Sequence, residues 1–152
     1  MLSNVEIKER IESFPERCRS TGLKVTHQRV AIFNYLAGTE SHPSPDEVYE
    51  TIRVRLPSIS LATVYKVLDQ FHRQGFLRRV STEGQVARYD ARMEHHHHLI
   101  CKSCGIIRDL ELDPAGSHPA MPEVADFRIE RSETFFHGLC NTCEDSKASL
   151  PA

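Results

Sequence analysis

Four of the five cysteines fall in two Cys-x-x-Cys pairs, Cys101-Lys-Ser-Cys104 and Cys140-Asn-Thr-Cys143. Two intervening residues let both sulfurs of a pair reach one ion, and two such pairs complete a closed tetrahedral shell of thiolates. That donor set suits a structural Zn2+ ion and leaves no open position for catalysis. Free buried thiols and redox pairs are the competing readings, and the paired motif favours zinc over both. The ion would tie the start of a β region to the C-terminal end, and in a small domain with a modest core it would contribute directly to folding. Cys18, the fifth, sits on the apolar stripe of a predicted helix and reads as a small buried hydrophobe.

Histidine is the second concentration of ligand chemistry. Six of the nine lie between His95 and His137, and four of those are consecutive. The run is internal and short, which argues against an expression tag and leaves a solvated linker or a ligand-bearing segment. His96 and His98 alternate, so on extended backbone they project to the same side. The charge divides along the same line. Residues 1–90 carry 13 Lys and Arg against 11 Asp and Glu, whereas residues 91–152 carry 6 against 10. A mildly basic first part beside an acidic, ligand-rich second part is compatible with DNA binding through the first part only.

Four predicted helices and a hairpin must position these groups. Ile7, Ile11, Phe14 and Cys18 recur at helical spacing, so residues 5–20 read as an amphipathic helix closed by Gly22. Thr26 caps a second helix with Val30, Phe33 and Leu36 on its inner face. Ser44-Pro45-Asp46-Glu47 opens a third: a cap, a proline at the first helical position, then acidic residues that match the dipole. It carries Val48 and Ile52 and stops before Pro57. Ser60 caps a fourth, Leu61–Gln74, with Val64, Leu68 and Phe71 inward and Gly75 as the left-handed exit. Two strand-like runs follow, Phe76–Val80 and Val86–Tyr89, joined across Glu83-Gly84. This is the order of a winged helix-turn-helix.

Residues 91–98 are polar and read as a joining segment. Beyond them the pattern turns to β at Leu99-Ile100, Ile106–Leu112 and Phe127–Phe136. A short helix is expected near Pro122–Ala125, and the residues after Cys143 read as a frayed tail. At 39% hydrophobic and 26% charged residues the composition is that of an ordinary soluble protein, and no apolar run approaches a membrane span. Met1-Leu2-Ser3-Asn4-Val5-Glu6 has no basic stretch followed by an apolar one, so a cytoplasmic location is expected.

The fourth helix turns Thr63, Tyr65, Lys66 and Arg73 outward, with Arg78, Arg79 and Arg88 on the hairpin. Small hydrogen-bonding side chains near a helix N-terminus can reach base edges, and Lys and Arg can take phosphates. By spacing alone, an ordinary solvated face fits as well. The combination of motifs decides. Gly22-Leu-Lys-Val-Thr-His-Gln-Arg29, His42-Pro43, Leu61-Ala-Thr-Val-Tyr65 and His95-His-His-His-Leu-Ile-Cys101-x-x-Cys104-Gly105 together resemble the ferric uptake regulator family, from about residue 15 to Cys143.

The resemblance implies an α+β homodimeric repressor of a double-stranded DNA operator. An N-terminal winged helix-turn-helix (1–90) would be followed by a hinge carrying metal ligands (91–98), a C-terminal α/β dimerisation domain (99–145) and a tail (146–152). Lys24 would enter the minor groove and Tyr65 would meet bases in the major groove, with Thr63, Lys66 and Arg78 beside them. It also implies a regulatory site of His42, Asp90, His96, His98 and Asp109, a mixed nitrogen and oxygen shell suited to Fe2+ or Mn2+. By itself His42 reads as a turn histidine before proline. That site would join the two parts of the chain, so occupancy could fix the angle between them.

Iron-sensing members typically carry Glu at the positions of Asp90 and Asp109, and peroxide-sensing members Asp. The pair of aspartates makes this chain most similar to the peroxide-responsive subgroup, in which iron-driven oxidation of a ligand, His42 or His96, would release the metal. The segment Thr63–Leu68 is nearer the iron regulators, and reversible sensing of metal level is the alternative. A third metal site using His95 and His97 is not expected, because Ser132 stands where its downstream histidine aligns. A metalloenzyme is the weakest reading: beyond the ligands there is no clear general base.

Overall fold

A computed structural model of the chain describes residues 3–80, 86–94, 96–111, 124–129, 132 and 134–148. The chain divides into two compact units, Met1–Met93 and Glu94–Ala152. The first holds helices α1 (Asn4–Ser20), α2 (His27–Ala37), α3 (Pro45–Arg53) and α4 (Leu61–Arg73), then strands β1 (Arg78–Val80) and β2 (Arg88–Asp90). Each helix starts where a side chain satisfies an orphan N–H. Ser3, Thr26, Ser44 and Ser60 accept from the third residue onward, and Ser3 and Ser44 form full capping boxes with Glu6 and Glu47.

Two helix exits are set by glycine. At the end of α4, Gly75 adopts φ +72°, Phe76 N–H donates to Phe71 O at 2.8 Å, and Gly75 N–H donates to His72 O at 3.1 Å. Gly22 ends α1 the same way, with Leu23 N–H on Cys18 O and Gly22 N–H on Arg19 O. Both are Schellman motifs, and their left-handed residue is the conformation that a Cβ disfavours. The turn after α4 drops Phe76 into the core. There Phe14 stacks on Phe33 with centroids 4.1 Å apart, and Phe71 and Phe76 meet Phe14 at 5.4 and 5.5 Å, close to edge-on. Such pairs add about 0.5–1.5 kcal/mol each beyond the area they bury.

The hairpin pairs Arg78 with Asp90, Arg79 with Tyr89 and Val80 with Arg88. It is shorter than the expected runs: Phe76 and Leu77 are core residues leading into the strand, and the described pairing ends at Val80 with Arg88. The expected turn at Glu83-Gly84 lies outside the described residues. Helices followed by this hairpin make the first unit a winged helix-turn-helix.

The second unit holds β3 (His97–Cys101), β4 (Ile107–Leu110), β5 (Phe135–Gly138) and helix α5 (Asn141–Ala148). The sheet order is β4-β3-β5, with β3 antiparallel to β4 and parallel to β5. The whole is α+β. Three expectations are corrected here. The strand begins at His97, inside the segment read as a polar joiner, because its pairing with β4 and β5 does not depend on apolar alternation. Phe127 is not in a strand: it closes a tight turn back to Val124, with Asp126 at φ +63°, and the strand begins at Phe135. The residues after Cys143, expected to be frayed, are helical as far as Ala148; Ser146 Oγ donates to Thr142 O at 2.7 Å. Of the helix expected near Pro122–Ala125, the described residues Val124 and Ala125 belong to that tight turn.

Candidate metal centres and nucleic-acid face

Cys101 ends β3, and the chain turns back at once. Cys101 N–H donates to Ile106 O at 3.0 Å, and Gly105, at φ +73°, donates to Cys101 O at 2.9 Å. Cys104 rides on this turn. Cys140 stands one residue before α5, and its carbonyl takes the N–H groups of Cys143 and Glu144 at 2.9 and 3.0 Å, which brings Cys143 round to the same side. The four sulfurs lie within 4.8 Å of one another, with Cys104 and Cys140 3.7 Å apart. The edge of a tetrahedron with Zn–S bonds of about 2.3 Å is about 3.8 Å, so the donor set fits that ion.

The electrostatics favour a first thiolate. Backbone N–H groups of Cys104 and Cys140 point at the Cys101 sulfur, the latter at 3.4 Å, and lower its pKa to about 6. Cys143 takes the opposite course. The Ser103 hydroxyl stabilises its thiolate, but the neighbouring Cys140, Cys104 and Cys101 sulfurs and burial outweigh that and push it up to about 11. Four adjacent sulfurs cannot all carry charge unless a cation shares them.

At the other end of β3 the register builds a different set. His98 pairs directly with Asp109 across β3 and β4, so the two side chains share a face, and His96, two residues earlier, falls on that face too. His96 Nε2 lies 3.0 Å from His98 Nε2 and 3.6 Å from Asp109 Oδ1. His96 Nδ1 sits 2.9 Å from Glu94 O; donation there puts the proton on Nδ1 and leaves the Nε2 lone pair facing the cluster. The His98 ring stacks against Phe135 with centroids 5.7 Å apart. Two donors at right angles on bonds of about 2.1 Å stand about 3 Å apart, so His96 and His98 are spaced as neighbouring ligands of one octahedral ion. His97 points to the opposite face and meets Phe136 edge-on at 6.2 Å. His95, named with His97 for a third site, lies outside the described residues.

The remaining expected ligands belong to the first unit. His42, between α2 and α3, is buried at φ +49°. Asp90 ends β2, is buried, and accepts from Arg92 N–H at 2.6 Å.

The expected DNA face is on the first unit as well. Tyr65 is 45% exposed, and its hydroxyl donates to Asp46 at 3.1 Å, which raises the phenol pKa above its ordinary value. Lys66 and Lys24 are exposed, whereas Thr63 is half-buried with its hydroxyl 2.8 Å from that of Ser60.

The ferric uptake regulator family model matches residues 20–119. The chain belongs to the ferric uptake regulator family. It is 33% identical over 144 residues to the transcriptional regulator FurA of Mycobacterium tuberculosis, covering 91% of this chain and 95% of the relative. It is 32% identical over 146 residues to the peroxide-responsive repressor PerR of Staphylococcus epidermidis, covering 92% and 91%. Among solved structures it is similar to the Vibrio cholerae ferric uptake regulator, with a TM-score of 0.65 and 27% identity over 84% of this chain and 99% of that one.

One residue expected to contact DNA is placed elsewhere in this family member. Arg78 is 7% exposed and its guanidinium donates to the Met93 carbonyl, while Arg79 is the exposed residue of β1. Strand alternation sends neighbouring arginines to opposite faces, so only one of the two could lie on the surface. Two supporting residues went unread in the sequence. Arg29 donates to Lys24 O and to Gln70 Oε1, both at 2.7 Å, and so braces the Lys24 loop against α4. Asp46 holds Tyr65. Arg29 was visible as the last residue of the Gly22–Arg29 motif, but nothing local marks Asp46.

Proposed function

We propose that this chain is a dimeric, metal-dependent transcriptional repressor that binds a two-fold-symmetric DNA operator and responds to peroxide. The observation that carries the metal dependence is the convergence of His96, His98 and Asp109. Two imidazoles and a carboxylate form a mixed shell suited to iron(II) or manganese(II), set apart from the sulfur shell suited to zinc. We assign Cys101, Cys104, Cys140 and Cys143 to structural zinc, and His42 and Asp90 to the regulatory ion with His96, His98 and Asp109. For His42 and Asp90 the support is their match to the family motif and their donor chemistry.

Lys24, Tyr65 and Lys66 would meet DNA, with Thr63 at the start of the same helix. Leu99, Ile106, Phe136 and Leu139, each 37–40% exposed, line one cavity of about 230 Å³ on the second unit. We assign this apolar face to a second copy, because a symmetric dimer presents two α4 helices to matching half-sites. Residues 1–90 then serve DNA binding, 91–98 carry ligands at a hinge, and 99–145 serve dimerisation.

Peroxide sensing rests on aspartate at both 90 and 109. A bound iron(II) ion would supply the redox chemistry with peroxide beside the imidazoles. His42 or His96 would take one oxygen atom of the peroxide, the other leaving as water, and the oxidised ring would no longer serve as a ligand, so that the operator would be released. The alternative is reversible sensing of metal level, favoured by the Thr63–Leu68 segment and by the FurA relative. The test is DNA binding of the iron-loaded and manganese-loaded protein before and after peroxide, with mass spectra of the histidine peptides. The peroxide reading expects a 16 Da gain on His42 or His96 and lost DNA binding with iron only, a mass change equal to one added oxygen atom. Unmodified histidines and full DNA affinity after peroxide would establish the metal-level reading instead.

A further inference from the structure

We infer that Arg88 is a positioning residue of the regulatory metal site, not a wing contact to DNA phosphate. The inference rests on the reading of His42 and Asp90 as regulatory ligands. His42 is a non-glycine residue at φ +49°, directly before Pro43, where the proline ring normally drives the preceding residue to extended backbone. Such a conformation persists only where its surroundings over-determine it, and these outliers gather at functional sites.

The surroundings that hold it come from β2. Arg88 Nη1 donates to the His42 carbonyl at 3.0 Å and, at 2.9 Å, to Glu47 Oε2. The Tyr89 N–H donates to the Pro43 carbonyl at 3.1 Å. Glu47 is itself fixed as the third residue of the α3 capping box, its Oε2 accepting from Ser44 N–H at 2.6 Å. Two consecutive residues of β2 therefore lace the His42-Pro43 turn to the strand, and the next residue of that strand is Asp90. The guanidinium is the bridge: its Nη1 donates to a carbonyl and a carboxylate at once, held at that reach and angle by a rigid planar group that the flexible lysine stem does not match. The same contacts count against a role on phosphate. The Arg88 side chain is 24% exposed and already neutralised by Glu47, so a phosphate would have to displace both partners.

The experiment measures manganese(II) affinity of the full-length, zinc-loaded protein without DNA, then DNA affinity at saturating manganese across a salt series. Arg88→Ala and Arg88→Lys should bind manganese about 10–100-fold more weakly, the usual cost of removing a group that orients a ligand. At saturating manganese both should recover wild-type DNA affinity and salt slope. Glu47→Gln should weaken manganese binding in the same direction by a smaller factor. Unchanged manganese affinity, with weaker DNA binding at saturation and a salt slope shallower by about one per protomer, would overturn the inference and make Arg88 a phosphate contact. If Arg88→Ala fails to fold, Glu47→Gln decides, and unchanged manganese affinity in that folded variant overturns the inference. His42→Ala and Asp90→Ala separate the two levels of the argument. If they bind manganese as wild type does, the ligand reading itself is wrong and the role of Arg88 falls with it.

Discussion

The two ends of β3 carry the two ligand sets of the second unit, and they are built in opposite ways. At the C-terminal end, Cys101 and Cys104 are brought together by one tight turn, and Cys140 and Cys143 by the first turn of α5. Each pair is local, and only the meeting of the pairs is a tertiary event. At the N-terminal end, His96 and His98 share a face by strand alternation, but Asp109 joins them through the register of β3 on β4. The first set has only sulfur donors and closes on itself. The second mixes imidazole with carboxylate, a weaker and more exchangeable combination for a divalent ion. A closed set suits a permanent part of the fold, and a mixed set suits an occupant that comes and goes.

Removing a sulfur should have the largest effect. Cys101→Ser or Cys140→Ser is expected to lose about one zinc per chain and to unfold the second unit or dissociate the dimer. Apparent binding energies of structural zinc, about 10–16 kcal/mol, rival the whole stability of a small domain. Metal analysis with circular dichroism and sedimentation checks this, and a variant that keeps its zinc and assembly would erase the contrast between the sites. Asp109→Ala should sharpen it: zinc content and melting temperature stay near wild type, while manganese affinity falls by at least tenfold, read by calorimetry. A folded variant with unaltered manganese affinity would remove Asp109 from the site.

The sequence made the local devices readable and the non-local ones much less so. Thr26, Ser44 and Ser60 cap the helices they were expected to cap, and Gly22 and Gly75 end theirs, because each acts within a few residues of itself. Cys-x-x-Cys was readable for the same reason. The start of β3 was not, since His97 and His98 carry no apolar alternation and the strand exists through its partners. Asp109 entered the reading only through resemblance to a family, because cross-strand register leaves no mark on spacing. The burial of Arg78 was not legible either, since which of two neighbouring hairpin arginines faces inward depends on the strand's packing. The helix after Cys140 was read as tail because its polar residues show no stripe.

Smaller effects belong to the first unit. Tyr65→Ala should cost about 1–3 kcal/mol of discrimination at its base position, and Lys24→Ala should weaken binding evenly while lowering the salt slope by about one per protomer. Arg78→Ala, by contrast, should reduce stability and leave the salt slope alone. Fluorescence anisotropy over a salt series separates the three, and a lower slope for Arg78→Ala would return it to the DNA face.

The smallest expected effect is at the α3 cap. Burial raises the Glu47 carboxyl, but the Ser44 N–H and the Arg88 guanidinium together hold it below its ordinary value of 4.5. Below that value the unfolded chain takes up the proton first. The contribution is therefore present above pH 4.5 and is lost as pH falls through the lower folded value. With the carboxylate 52% exposed, solvent screening limits it to under about 1 kcal/mol. Urea melts of wild type and Glu47→Gln should differ at pH 7 and converge at low pH; an equal gap at both would place the effect in packing instead of charge.

The most direct test of the account is operator affinity of the zinc-loaded protein as manganese is added and withdrawn, in wild type and His96→Ala. The account predicts tight, reversible, manganese-dependent binding in wild type and none in His96→Ala, with zinc content equal in both. Operator binding by His96→Ala at wild-type strength, or by wild type with manganese removed, would contradict it.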